Sequence, residues 1–104
     1  MAVTKDYAKI GEMWYRVSLG DNINDFYDEI GFRLFENLEE AQDWGRQGLL
    51  AGNGIDVMIE RFTYVEAEPF DDDEFGVVYD ADVEYDDDWR MLLFDAHGEW
   101  IEEE

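Results

Sequence analysis

From Asp80 to Asp88 every second residue is acidic: Asp80, Asp82, Glu84, Asp86 and Asp88, with no Lys or Arg among them. A period of two belongs to a β-strand, in which alternate side chains share a face. Read as a strand, "DADVEYDDDW" sets five carboxylates in a straight row, with neighbours roughly 6.6 Å apart at a rise of about 3.3 Å per residue. Its other face offers Ala81, Val83, Tyr85 and Trp89 to a core, and Asp87 falls out of place there. Two unit charges at that spacing repel by roughly 0.6 kcal/mol in water, and physiological salt about halves this. The whole row then costs on the order of 1–2 kcal/mol, against a usual domain stability of about 5–15 kcal/mol. Such a cost raises the question of what it serves.

The rest of the chain can support such a strand. Its 104 residues suit one domain, and 46% apolar and 16% aromatic residues are too many for a disordered acidic tail. Charge is extreme and uneven, at -22 overall from 29 acids and 7 bases. Residues 1–55 hold ten acids and five bases, whereas 56–104 hold nineteen acids and only Arg61 and Arg90. Between Glu66 and Asp88 there are twelve acids and no base. The absence of cysteine removes disulfides, thiolate metal sites and thiol nucleophiles. Neither a membrane-length apolar run nor a secretory signal is visible, so a cytoplasmic location is expected. A surface this anionic repels nucleic acid and anionic lipid, so direct binding to either is not expected.

The pattern predicts an α+β fold: one domain over residues 1–104, an antiparallel sheet of four to five strands, and one main helix packed on it. "EMWYRVSL" alternates, with Met13, Tyr15, Val17 and Leu19 on one face. "NDFYDEIGF" reads as one or two helical turns, on which Asp21, Asp25, Asp28 and Glu29 form a further acidic patch, and "RLF" reads as a short strand. Asn37 is an N-cap for a helix carrying Leu38, Ala41 and Trp44, which Gly48, Gly52 and Gly54 end. "IDVMIERFTYVEAE" is the strongest strand. Pro69 and the run Asp71, Asp72, Asp73 and Glu74 read as a loop. "GVVYDADVEY" and "WRMLLFD" read as strands, and "DAHG" turns the chain into "EWIEEE" as a hairpin.

Three uses of the row can be weighed. As a calcium loop starting at Asp80 it has acids at positions 1, 3, 5, 7 and 9, but Tyr85 stands where Gly is needed and Met91 where Glu is needed. No metal site or other cofactor is expected. As a catalytic pair the carboxylates lack a cleft, and the only histidine, His97, reads as a turn residue, so the chain is not expected to be an enzyme. The third use is to imitate DNA, whose strands carry one negative charge at each step of about 3.4 Å along the axis. Rigid carboxylates can occupy a basic groove, and Tyr79, Tyr85 or Trp89 would stack on the target's arginines.

In size, acidity, lack of cysteine and tracts such as "EPFDDDEF" and "YDADVEYDDDW", the chain resembles the small acidic DNA-mimic inhibitors of phages and mobile elements. These include anti-CRISPR proteins, anti-restriction proteins and inhibitors of a DNA-repair glycosylase. The resemblance is compositional, without a shared motif. It implies an inhibitor, often dimeric, that occupies the basic DNA-binding surface of a host defence complex, with the anti-CRISPR class first. On this expectation Asp80, Asp82, Glu84, Asp86 and Asp88 form the first contact row, Asp71, Asp72, Asp73 and Glu74 the second, and Glu66, Glu68 and Glu102 to Glu104 broaden the surface. Competing readings are a halophilic acidic domain, an adaptor for a basic protein, and a charged edge strand that blocks sheet-to-sheet aggregation.

Overall fold

The computed structural model describes residues 2–3, 7–20, 29–74 and 76–103. Strand β1 (Ala2–Val3) and a single 3-10 turn (Tyr7–Lys9) precede β2 (Met13–Gly20) and β3 (Glu29–Phe35). Helix α1 (Leu38–Leu50) follows, then β4 (Asp56–Glu66), β5 (Phe70–Asp72), β6 (Gly76–Tyr79), β7 (Ala81–Leu93) and β8 (Ile101–Glu103). Five strands make one antiparallel sheet in the order β3-β2-β4-β7-β8, and β1-β6-β5 make a small second sheet. The expected α+β architecture is what the chain adopts. No helix among the described residues is long and apolar enough to cross a membrane.

Helix α1 begins where the sequence places it. The Asn37 side chain accepts from the Glu39 and Glu40 backbone N–H groups at 2.7 and 3.3 Å. The helix runs past Gly48, contrary to expectation, because its glycines serve close approach rather than termination. A Cβ on Gly45 would lie 2.8 Å from Val57 Cγ1, and one on Gly48 would lie 2.9 Å from Leu19 Cδ1. The stop comes at Gly52, whose φ of +79° suits a residue without a Cβ. Lying this close, the helix covers Val17 and Leu19 of β2, Val57 and Ile59 of β4, and Met91 and Leu93 of β7, with Trp44 and Trp100 packed alongside. Arg46 fastens it to the last turn, donating to the Ala96 and Gly98 carbonyls at 2.6 and 3.0 Å. His97 sits in that turn, its backbone N–H donating to Asp95 Oδ1 at 3.0 Å.

Beyond Ile59 the apolar face of β4 changes sides. Phe62 and Tyr64 are buried on the face away from the helix, where Trp14 and Tyr85 join them in edge-on and tilted ring contacts. Lys9 caps this second cluster, its Nζ 4.2 Å from the centre of the Trp14 ring. One end of the sheet is therefore a helix-backed body. The other is an arm formed by Phe62–Glu66 of β4, the small second sheet and Ala81–Tyr85 of β7. The radius of gyration is 16.3 Å and the principal extents are 51 × 23 × 21 Å. A compact chain of this length has a radius near 13 Å, so the molecule is elongated.

Four local expectations are corrected. Residues 29–32 form strand rather than helical turns and run on into the expected strand of residues 33–35, because together they pair with Tyr15 to Gly20 of β2. The rest of "NDFYDEIGF", and with it Asp21, Asp25 and Asp28, lies outside the described residues. Phe70–Asp72 is a strand paired antiparallel with β6, so Asp71 and Asp72 belong to a hairpin that Asp73 and Glu74 close. Finally, "GVVYDADVEY" breaks at Asp80 into strands of two different sheets, while β7 runs unbroken through Asp87.

Candidate functional site

The acidic surface is built on β7, and its geometry turns on one irregularity. Glu60 pairs with Arg90 and Phe62 pairs with Tyr85, so Arg61 alone stands opposite four residues, Asp86 to Trp89. Three extra residues are an odd number, so the alternation of β7 swaps faces across the bulge. Val83 and Tyr85 share the Phe62–Tyr64 face, whereas Trp89, Met91 and Leu93 face the helix. The swap follows from the sequence. In an unbroken ladder Asp87 would sit in line with Tyr85 and Trp89 on an apolar face, and the bulge lets it reach water.

The straight row of five carboxylates is thereby corrected. Asp80 precedes the strand, Asp82 and Glu84 stand exposed on one face of the arm, and Asp86 and Asp88 lie within the bulge. Ala81, Val83, Tyr85 and Trp89 likewise do not form one buried stripe. Val83 and Tyr85 remain 38% and 37% exposed, and Trp89 is 8% exposed in the body's core. Trp89 therefore cannot stack on a partner's arginine. It already carries the molecule's own Arg61, whose guanidinium carbon lies 4.8 Å from the ring centre, and its Nε1 donates to Glu102 at 3.2 Å.

Arg61 also neutralises one member of the row. Its Nε donates to Asp86 Oδ2 at 3.1 Å, and its terminal nitrogen pairs with the same oxygen. This contact, aided by the Asp88 backbone N–H and by the charge of Arg61, holds the Asp86 carboxyl below its ordinary value despite partial desolvation. Arg90 pairs instead with Glu103, Nε to Oε2 at 2.8 Å, and leaves the row alone. Among the described residues no ion pair involves Asp82, Glu84, Asp87 or Asp88.

Several of the aspartates are also engaged with backbone. Ala81 N–H donates to Asp80 Oδ1 and Val83 N–H to Asp82 Oδ1, each at 2.8 Å, and Asp88 N–H donates to Asp86 Oδ1 at 3.2 Å. Strand β8 pairs only with Arg90–Leu92, so the stretch of β7 before the bulge is a sheet edge. The carboxylates thus occupy donors that a neighbouring strand would otherwise use. Asp72 does the same for the hairpin turn, accepting from Glu74 N–H at 2.8 Å.

The structure brings the two sequence-predicted clusters to the same end of the molecule without merging them into one line. Asp82 and Glu84 lie on the arm's strand, and Asp86, Asp87 and Asp88 at its root. Asp71, Asp72, Asp73 and Glu74 lie in the hairpin of the second sheet. Asp87, absent from the predicted row, belongs to the exposed set, and its misfit in the alternation was the signal for it. Among the described residues no group of three or more carboxylates is placed to hold a metal ion. The surface offers carboxylate and carbonyl acceptors to a partner rich in donors. The chain matches no protein-family model, no curated protein and no solved structure.

Proposed function

We propose that this chain is a stoichiometric inhibitor that imitates DNA and occupies the basic DNA-binding surface of a host defence complex. One observation carries the reading. The twelve acids between Glu66 and Asp88, with no base among them, lie on the arm and the bulge at its root rather than around the whole molecule. A preformed surface loses little ordering entropy on docking. Asp82, Glu84, Asp87 and Asp88 are the first contacts, and Asp71, Asp73 and Glu74 the second. Asp80 and Asp86 are secondary, because both are half-buried and Arg61 already engages Asp86. Assignment to anti-CRISPR inhibitors rather than restriction or repair inhibitors rests on the small single-domain size.

The experiment is capture of a host protein from nuclease-treated lysate, followed by competition with duplex DNA. The complex should release in proportion to added DNA and weaken steeply with salt. Substituting Asp82→Asn, Glu84→Gln, Asp87→Asn and Asp88→Asn together should abolish inhibition while the protein stays folded. Inhibition that survives this change, or capture indifferent to DNA, overturns the reading.

A second reading is favoured by the backbone contacts of Asp80, Asp82 and Asp86: the acids guard an open sheet edge and recognise nothing. It predicts that Asp82→Ala promotes self-association, whereas Asp82→Asn, which keeps an acceptor oxygen, does not.

A further inference from the structure

The connection from α1 to β4 runs through "AGNGI", residues 51–55, and holds the chain's one Asn-Gly pair, Asn53 and Gly54. The chain is tied down on either side of the Asn53–Gly54 peptide bond. Asn53 N–H donates to the Gly48 carbonyl and Ile55 N–H to the Gly20 carbonyl, each at 3.0 Å. Between these anchors, among the described residues, no hydrogen bond engages the Gly54 N–H or the Asn53 side chain. Asn53 is also exposed. Asparagine is a thermolabile residue. Gly54 brings no side chain to shield its nitrogen, and a glycine backbone turns more freely than any other.

We propose that Asn53 is a site of spontaneous deamidation, at which the folded protein converts the asparagine to isoaspartate and aspartate. The inference is independent of the inhibitor reading. The Gly54 nitrogen, giving its proton to solvent, attacks Asn53 Cγ. The new N–Cγ bond closes a succinimide, the Cγ–Nδ2 bond breaks, and ammonia leaves with a proton from water. Water then opens the ring. Hydrolysis of the Cγ–N bond leaves aspartate. Hydrolysis of the backbone C–N bond leaves isoaspartate, whose main chain runs through the side chain and is one carbon longer. Nothing is oxidised or reduced, and water is the sole co-reactant. The position is selected among four asparagines. Asn37 has its carboxamide oxygen held by the Glu39 and Glu40 N–H groups, and helical Leu38 follows it. Asn22 and Asn24 lie outside the described residues, and the residues that follow them in sequence, Ile23 and Asp25, carry side chains that hinder attack by their nitrogens. The product adds an acid to the body and lengthens the turn between its two anchoring hydrogen bonds.

The test is to age the full chain in neutral buffer and follow its intact mass. Peptide mapping then locates the change, and methyl transfer from S-adenosylmethionine by an isoaspartyl methyltransferase counts isoaspartyl carboxyls. The expected result is a mass rise equal to the difference between an amide and an acid, mapped to Asn53, with methyl acceptance growing alongside it. Asn53→Gln alters an exposed side chain that is too long to close the same ring, so it should keep its mass and accept no methyl groups. Gly54→Ala should slow the conversion severalfold. Its added Cβ would lie 3.2 Å from the Gly20 carbonyl oxygen, so if that variant folds poorly Asn53→Gln still decides. A native chain that keeps its mass while the same chain in urea gains it overturns the proposal. So does a change mapped to Asn22, Asn24 or Asn37, and so does aspartate formed without isoaspartate, which would mean direct attack by water.

Discussion

Arg61 does three things at one position: it faces the bulge, pairs with Asp86 and lies over Trp89. It is the base whose loss should be felt most. Replacing it with Ala should return the Asp86 carboxyl to the ordinary range, a change that carboxyl NMR titration would read directly. The direction of the pH effect follows. The folded value of Asp86 lies below the unfolded one, so its contribution is present above about pH 4 and fades as pH falls through the folded value. In Asp86→Asn that part of the acid-side slope should be missing from denaturation curves. Two other residues give sharper losses. Phe62, 1% exposed at the centre of the second aromatic cluster, should cost about 3–5 kcal/mol on truncation to Ala. Gly45→Ala should cost about 1–3 kcal/mol, because the new methyl meets Val57, Val17 and Trp100. Urea titration measures both.

Among the elements, α1 was legible because its start and buried stripe are written locally: Asn37 at the cap, then Leu38, Ala41 and Trp44. Asn37→Ala should lower stability by about 1 kcal/mol. Strand β2 was legible from alternation, β4 from its β-branched and aromatic residues, and β8 from the turn before it. What escaped was set by tertiary context. Gly48 reads locally as a stop, and only the proximity of Leu19 explains it as a contact. Strand Phe70–Asp72 looked like a loop because three residues of strand surrounded by acids carry too little pattern to register. The geometry of the acidic row was half legible. Period two correctly made β7 a strand and put Asp82 and Glu84 together, but a ladder in which one residue meets four cannot be foreseen from one strand's own alternation. Only Asp87 hinted at it.

At the scale of the whole molecule, charge and shape meet. Concentrating acids on the arm loads it with mutual repulsion that salt relieves. The melting temperature should therefore rise between about 0.01 and 1 M NaCl, by an amount equivalent to about 1–2 kcal/mol. A protein that unfolds outright in dilute buffer would instead be halophilic. Elongation is testable separately, since small-angle scattering of the monomer should return a radius near 16.3 Å rather than a compact value. The bulge between body and arm has one more consequence. Cutting out Asp86, Asp87 and Asp88 as a block would bring Trp89 opposite Arg61 in an ordinary ladder, with Tyr85 and Arg90 keeping their present partners and orientations. The tri-aspartate is a removable insert. The helix-backed core and the aromatic cluster are therefore built independently of the acidic residues that the insert presents.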